Sequence, residues 1–354
     1  MIEVKIVAGS TNPYNDKKLV TYLLKYPRVI HAEFMTHSMI KKNSASSRAI
    51  PAKKMIENVT MNPFSPTAFQ AAHSGMQGTE YLEDKAKRDC YYSWNQAKHA
   101  ALGRAHDLNQ YGATKQLVNR LLEPFSYIEV LATGTEWENF FQLRCPEYYD
   151  DIDSYRSVKD AISDKSRPWL KEHHKLDSNY FRKYNKSQAE IHIQELAEKM
   201  WDAYNEFEYA ELSTGDWHLP LVTDEDMKSK SYADACFTKR ADGKDWGSMA
   251  AMITTARAAR GSYGKWEGKT VSEDIELHDK LWESGHWSPF EHAARCPGEF
   301  EYKEMSDTKF LGFEDVYAPD GSITGEPHIQ TGWFSAYHGF MSYRYQLERG
   351  LINK

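Results

Sequence analysis

The eight residues WENFFQLR, Trp137 to Arg144, constrain the fold more than any other stretch of the chain. Trp137, Phe140, Phe141 and Arg144 fall at i, i+3, i+4 and i+7, which is one stripe of an amphipathic helix. The apolar face of that helix is core, and Arg144 at its end is the unusual member. The first residues carry the other period. Ile2, Val4 and Ile6 alternate as in a half-buried strand. A chain with both periods is expected to be α+β.

Further elements follow from the same patterns. Lys17 to Tyr26 is read as a helix. Leu117, Leu121 and Leu122 share a helical face that Pro124 interrupts, and Tyr127 to Leu131 is helical or extended. Residues 146–186 are polar and rich in Tyr and charge, and are read as an insertion or exposed helical subdomain. Ser187 and Glu190 have capping-box spacing, with Ile193, Leu196, Ala197, Met200 and Tyr204 as the buried face beyond them. STGDWHLPLVTDED is a loop. Met249 to Gly261 is a helix with Arg257 and Arg260 on one side. The helix after Ser272 ends at Gly285. The aromatic C-terminal extension, 325–354, is expected to pack as a helix. No repeat and no linker is evident, so 1–354 is read as a single domain.

Composition narrows the function. Of 354 residues, 41% are hydrophobic and 27% charged, with a mean hydropathy of −0.71. No run approaches the roughly 20 apolar residues that span a bilayer, and the N-terminus reads as a strand rather than a signal peptide. A soluble, cytoplasmic protein is expected. A net charge of −7 argues against a broad nucleic-acid footprint, which needs many Lys and Arg to neutralise phosphates. It leaves room for a small anion held by a few arginines. Cys90, Cys145, Cys236 and Cys296 are far apart and form no CxxC pair, so they are read as reduced thiols. No metal is expected.

Four clusters carry candidate chemistry. The first lies in HAEFMTHSMIKKNSASSRAIP: His37, Asn43, Ser46 and Arg48. The second is Arg120 with Asn139 and Arg144. The third is Arg257, Arg260 and Ser262. The fourth is GHWSPFEH, with His286, Ser288 and His292. Singly, each has a plain reading: a structural histidine, a last-turn cation favoured by the helix dipole, a solvated face, a proline turn. The run Ser44-Ala-Ser-Ser-Arg48 does supply the hydroxyls and the arginine fork that a phosphate wants.

Together the four resemble the flavin-dependent thymidylate synthases. The family's Arg-His-Arg motif, followed by x-x-Ser-x-Asn-Glu-x-Ser-x-Arg-Tyr, falls on Thr36, His37, Ser38, Asn43, Ser44, Ser46, Arg48 and Ala49. Its FxxLR helix matches Phe140 to Arg144, and its AQxEI segment matches Ser187 to Ile191. Its RAARVS segment matches Arg257 to Ser262, and GHxSPFEH matches Gly285 to His292. In most members the last two segments precede the Arg-His-Arg motif. Here they follow it, so the chain looks circularly permuted, as in bacteriophage members, and permutation is tolerated where termini lie close together.

The resemblance implies an α+β domain with an antiparallel or mixed sheet and long packed helices, and a homotetramer with sites shared between subunits. It implies conversion of dUMP to dTMP, with 5,10-methylenetetrahydrofolate giving the one-carbon unit and FAD, reduced by NADPH, giving the hydride. His37, Asn139, Ser262, His286 and Ser288 would bind FAD. Glu33, Ser44, Ser46, Ser47, Arg48 and Arg120 would bind dUMP. Arg144 would face the uracil and favour its deprotonated form, a form of electrostatic catalysis. No nucleic-acid or membrane partner is implied. The chain departs from the family at Thr36 and Ser38, where both flanking arginines are lost, and at Ser44, where the family has Glu. Each lost charge-assisted bond to FAD would cost about 1.5–3 kcal/mol; either Lys41 and Lys42 offset this, or flavin binding is weaker, or the substrate is altered. Hydroxymethylation at C5, or a flavin-free nucleotide-binding homologue, are the alternatives.

Overall fold

The computed structural model describes residues 1–74, 80–149, 154–184, 189–240, 243, 245–266, 270–317 and 323–353. Strand β1 (Glu3–Asn12) turns back into β2 (Asn15–Pro27), with Val4 opposite Leu24 and Ile6 opposite Tyr22. A short strand β3 (Lys41–Ser44) and β4 (Tyr127–Gly134) complete the antiparallel part, in the order β3-β4-β2-β1. The two-residue strand Ala210–Glu211 adds to β1 in parallel, which makes the sheet mixed.

The two faces of this sheet differ in chemistry. On one, Val20, Tyr22, Leu24 and Tyr26 of β2 join Ile128, Val130 and Ala132 of β4. The helix Trp137–Arg144 covers that face with Trp137, Phe140 and Phe141, all fully buried, and the helix Ile191–Glu206 adds Ile193, Leu196, Ala197 and Met200. Tyr22 and Trp137 meet edge to face at 4.8 Å, a favoured aromatic geometry. On the other face, Leu19 packs on Ala294, Tyr337 and Phe340. There Thr21 and Thr133 sit directly opposite one another, both fully buried.

Several expectations change. Lys17 to Tyr26 is strand rather than helix: Leu19-Val20 and Leu23-Leu24 imitate a helical stripe, but the β-branched and aromatic residues among them suit a pleated surface. Tyr127 to Leu131 is extended. Only Lys115–Val118 is α-helical, and Asn119–Phe125 is a tighter 3-10 stretch. At three residues per turn the leucines separate, so Leu122 is buried while Leu117 and Leu121 are exposed. The C-terminal tail is mostly strand, Ile323–Phe334, Tyr337–His338 and Met341–Ser342, with a helix only at Tyr343–Glu348. Positive φ at Gly332, Ser335 and Gly339 breaks the helix that its aromatic spacing suggests.

Ser187 lies outside the described residues. The following helix begins at Ile191, and the carboxylate of Glu190 caps it by accepting from the amides of His192 at 2.8 Å and Ile193 at 3.3 Å. Within 146–186, helices Val158–Ser163, Pro168–Leu176 and Tyr180–Tyr184 enclose a small apolar cluster of their own, including Tyr155, Ala161, Leu170 and Phe181. The helices Met249–Arg260 and Val271–Glu283 form as expected, the second ending two residues before Gly285. Helices Ala52–Met61 and Asp84–Gln110 were not anticipated. Among the described residues no helix is long and apolar enough to cross a membrane, and all four cysteines are free.

Candidate functional site

β3 is the hub. The short helix His31–Met35 leads into a turn at His37-Ser38, and the chain then enters β3. Lys42 props the turn by donating to the carbonyls of His37 and, at 3.0 Å, Ile40. Burial and the neighbouring Lys41 push its ammonium down to about 8. Arg144 reaches the turn from the aromatic helix. Its Nε–H donates to His37 Nε2 at 3.1 Å, and Nη1 donates to Glu33 Oε1. His37 therefore carries its proton on Nδ1. Burial, then the cations of Arg144 and Lys42, push it down to about 4, so it is neutral at pH 7. Burial raises the Glu33 carboxyl against the opposing pull of Arg144. The His37 ring also packs edge-on against Phe140 at 4.9 Å. A cleft of about 240 Å³ opens here, lined by Thr36, His37, Ser38, Asn139, Leu143 and Arg144 among others.

Behind β3 runs a row of hydrogen bonds, exposed at Ser288 and buried from Asn43 to Ser10. Asn43 Oδ1 can only accept, and it takes the Ser288 hydroxyl at 2.5 Å and His292 Nε2–H at 3.2 Å. His292 Nδ1 must then accept, from Thr133 at 2.8 Å. Thr133 accepts from Thr21 at 2.8 Å, and Thr21 from His218 Nε2–H at 2.8 Å. His218 Nδ1 accepts from Ser10 at 2.9 Å. One amide oxygen thus fixes the direction of the whole row. Burial pushes both imidazoles down to about 3, which keeps them neutral and able to donate and accept at once.

A third junction lies past the end of β3, where the Ser46 amide donates to the Ser262 carbonyl at 2.9 Å. The Ser46 hydroxyl accepts from the Arg48 amide at 3.3 Å. Asn119, fully buried, clamps this loop by donating to the carbonyls of Ser47 at 2.6 Å and Ile50 at 2.9 Å.

The structure thus gathers His37, Asn139 and Arg144 in one cleft, with Glu33 bonded to Arg144 beside it, Ser288 with Asn43 and His292, and Ser46 with Ser262. Ser44 lies in β3, opposite Val130. Arg48, Arg120 and His286 are exposed on the surface, and their side chains make none of these contacts; only the Arg48 backbone amide, bonded to Ser46, takes part. Arg257 and Arg260 are not a solvated face. Arg257 is buried and bonded to Asp226, Asp274 and the Leu221 carbonyl, and Arg260 also pairs with Asp274. Cys145 is fully buried and its thiol is pushed up by burial, so it is no nucleophile at neutral pH. Lys41 lies 3.6 Å from Glu291 and Lys42 is held by two carbonyls, so the turn and its surroundings engage both lysines. Sequence reasoning missed Thr21, Thr133, His218 and Ser10. Two threonines inside otherwise apolar strands were the available signal.

The residues of the cleft fit part of the implied cofactor. Ser38, Asn139 and His37 offer hydroxyl, amide and imidazole groups to a flat heteroaromatic ring. A volume of about 240 Å³ is below the ~300–1,000 Å³ usual for a whole ligand or cofactor site, so the cleft has room for a ring and not for an entire dinucleotide.

No protein-family model matches the chain, and no curated protein matches it. Among solved structures it is similar to a UMP/dUMP methylase PolB from Streptomyces cacaoi bound with 5-Br UMP. The TM-score is 0.37 at 15% identity, covering 58% of this chain and 88% of that one. A structure of a UMP/dUMP methylase PolB from Streptomyces cacaoi bound with 5-Br dUMP gives a TM-score of 0.33 at 12% identity, covering 53% of this chain and 98% of that one. A likeness of that extent carries no conclusion about activity.

Proposed function

We propose that the protein modifies C5 of a pyrimidine deoxynucleotide, and specifically that it is an FAD-dependent synthase making dTMP from dUMP with 5,10-methylenetetrahydrofolate and NADPH. One observation carries the reading. Sequence blocks more than a hundred, and in two cases more than two hundred, residues apart meet around β3: His37 with Arg144, Asn43 with Ser288 and His292, and Ser46 with Ser262. Chance matches to a motif set have no reason to converge in space.

The roles follow from the groups. Arg144, permanently cationic and held against Glu33 and His37, would lower the energy of negative charge developing on a uracil ring in the cleft. His37, neutral and protonated at Nδ1, would offer one donor to a ring carbonyl. Ser288 spends its proton on Asn43, so its oxygen is left to accept from a ligand. Bound flavin would supply the hydride. Ser46, Ser47 and Arg48 would hold the nucleotide phosphate from the far end of β3, a strand of about 13 Å at 3.3 Å per residue. Base cleft and phosphate loop therefore serve one nucleotide from two chains, as a homotetramer with shared sites would arrange.

The visible absorption spectrum with and without added FAD tests this. The expected result is an oxidised-flavin spectrum that bleaches with NADPH and recovers with dUMP plus methylenetetrahydrofolate, with a product heavier by one methylene. A CH2OH product would replace methylation by hydroxymethylation. A colourless protein that ignores FAD would overturn the redox reading.

A further inference from the structure

A second cavity, of about 330 Å³, lies among the ends of β2 and β4, the helix Ala52–Met61 and the turn Gly261–Tyr263. It shares none of its lining with the His37–Arg144 cleft. Its size falls within the usual range for small-ligand sites. Ile50, Met55, Val59 and Tyr127 give it an apolar wall, while Arg28, Lys25 and Lys54 bring three cations and Glu129 one anion.

Arg28 is the telling residue. Its side chain is 12% exposed, yet its five donors are poorly used. Nη2 donates to the Ala45 carbonyl at 3.3 Å, and Nη1 lies 3.7 Å from Glu123 Oε1. Nε is buried with no hydrogen-bond partner. A buried guanidinium with an idle N–H costs free energy unless something accepts from it. Lys25 already has Glu3 at 2.7 Å, and Glu129 already accepts from the Trp266 indole at 2.8 Å. Lys54, exposed, has no ion pair among the described residues, and Asn58 and Asn62 line the same space. A cationic floor of Arg28 and Lys54 beside an apolar wall matches an acid group joined to an apolar body.

We propose that this cavity binds a small organic anion, a carboxylate or phosphate monoester with an apolar or aromatic body, its acid group bonded by Arg28 and Lys54. The site does not depend on the catalytic reading above. It does adjoin the phosphate loop, since Arg28 bonds the carbonyl of Ala45, between Ser44 and Ser46. An anion drawing on the same guanidinium would alter how that loop is held.

Phenyl phosphate is a suitable probe, titrated calorimetrically into the full-length protein with inorganic phosphate as the comparison. Phenyl phosphate is expected to bind more tightly than phosphate, because the apolar wall takes the ring. Arg28→Gln should weaken it by about tenfold or more, equivalent to 1.4 kcal/mol. Lys54→Gln, at an exposed position where folding is not at stake, should weaken it several-fold and decides the matter if Arg28→Gln does not fold. Arg48→Ala should leave it unchanged. No binding at millimolar probe, or binding indifferent to Lys54→Gln, would overturn the proposal. Binding lost only in Arg48→Ala would place the anion in the phosphate loop, leaving the nucleotide reading standing and this one refuted.

Discussion

At the scale of single residues, the most consequential contact is the one between Arg144 and His37. Arg144→Ala removes the group proposed to meet uracil and one of the cations holding His37 down. Turnover should fall below detection while the fold and any flavin binding persist, since Arg144 sits at the rim of the aromatic stripe and not within it. The His37 titration, followed by NMR, should move up from about 4, though not to the ordinary histidine value of about 6.5, because burial is the larger cause. Lys at 144 should rescue little, because an ammonium lacks the fork that engages Glu33 and His37 together. Activity near wild type in Arg144→Ala would show that the uracil partner lies elsewhere. The stripe that ends in Arg144 was legible at this scale, because three buried aromatics and one cation at helical spacing are a local pattern. The row from Asn43 to Ser10 was not. Its members lie up to 282 residues apart, from Ser10 to His292, and only strand pairing brings Thr21 opposite Thr133.

At the scale of elements, the loop after β3 depends on two neighbours. Asn119 clamps it from the 3-10 stretch. Asn119→Ala leaves the Ser47 and Ile50 carbonyls without that donor, and should cost about 1–3 kcal/mol of stability and raise the dUMP dissociation constant together with it. Gly261 clamps it from the other side, through the turn that presents the Ser262 carbonyl. A Cβ at Gly261 would overlap the Trp266 ring, so Gly261→Ala must displace Trp266 and with it the indole bond to Glu129. Denaturant melts and calorimetric titration with dUMP check both variants. A dUMP affinity unchanged in both would separate the loop from the nucleotide. The same loop shows why motif spacing and element prediction diverge. The hydroxylated run was readable as a phosphate cradle from its chemistry, but β2 was misread as helix because Leu19-Val20 and Leu23-Leu24 satisfy both periods until a partner strand chooses between them.

At the scale of the molecule, acid should loosen the fold through its interior histidines. His218 and His292 are neutral in the folded state, with values of about 3, against about 6.5 when unfolded. Between those values the unfolded chain binds more protons, so stability is fully present above pH 6.5 and falls as the pH drops toward 3. The slope is about 1.4 kcal/mol per pH unit for each histidine. Thermal melts from pH 7 to 4 should show this decline, and His218→Asn should reduce its steepness. A flat profile would contradict the buried neutral row. The proposed sharing of sites makes a second expectation. Arg144→Ala and Arg48→Ala chains, each inactive alone, should recover part of the activity when co-expressed, because some sites would receive an intact cleft from one chain and an intact loop from another. No recovery would mean that each site is built within a single chain.

The row of hydrogen bonds behind β3 is also a molecular dipole with a sense of direction. Six bonds between Ser288 and Ser10 take their orientation from whether the oxygen or the nitrogen of Asn43 faces inward. Turning that one amide over would oblige every hydroxyl in the row to rotate and both imidazoles to exchange tautomer, with no heavy atom elsewhere displaced. The interior therefore has two electrically opposite settings written on one geometry. Long-range nitrogen–proton correlations of His218 and His292 read the setting directly, and the orientation described here requires both rings to carry their proton on Nε2.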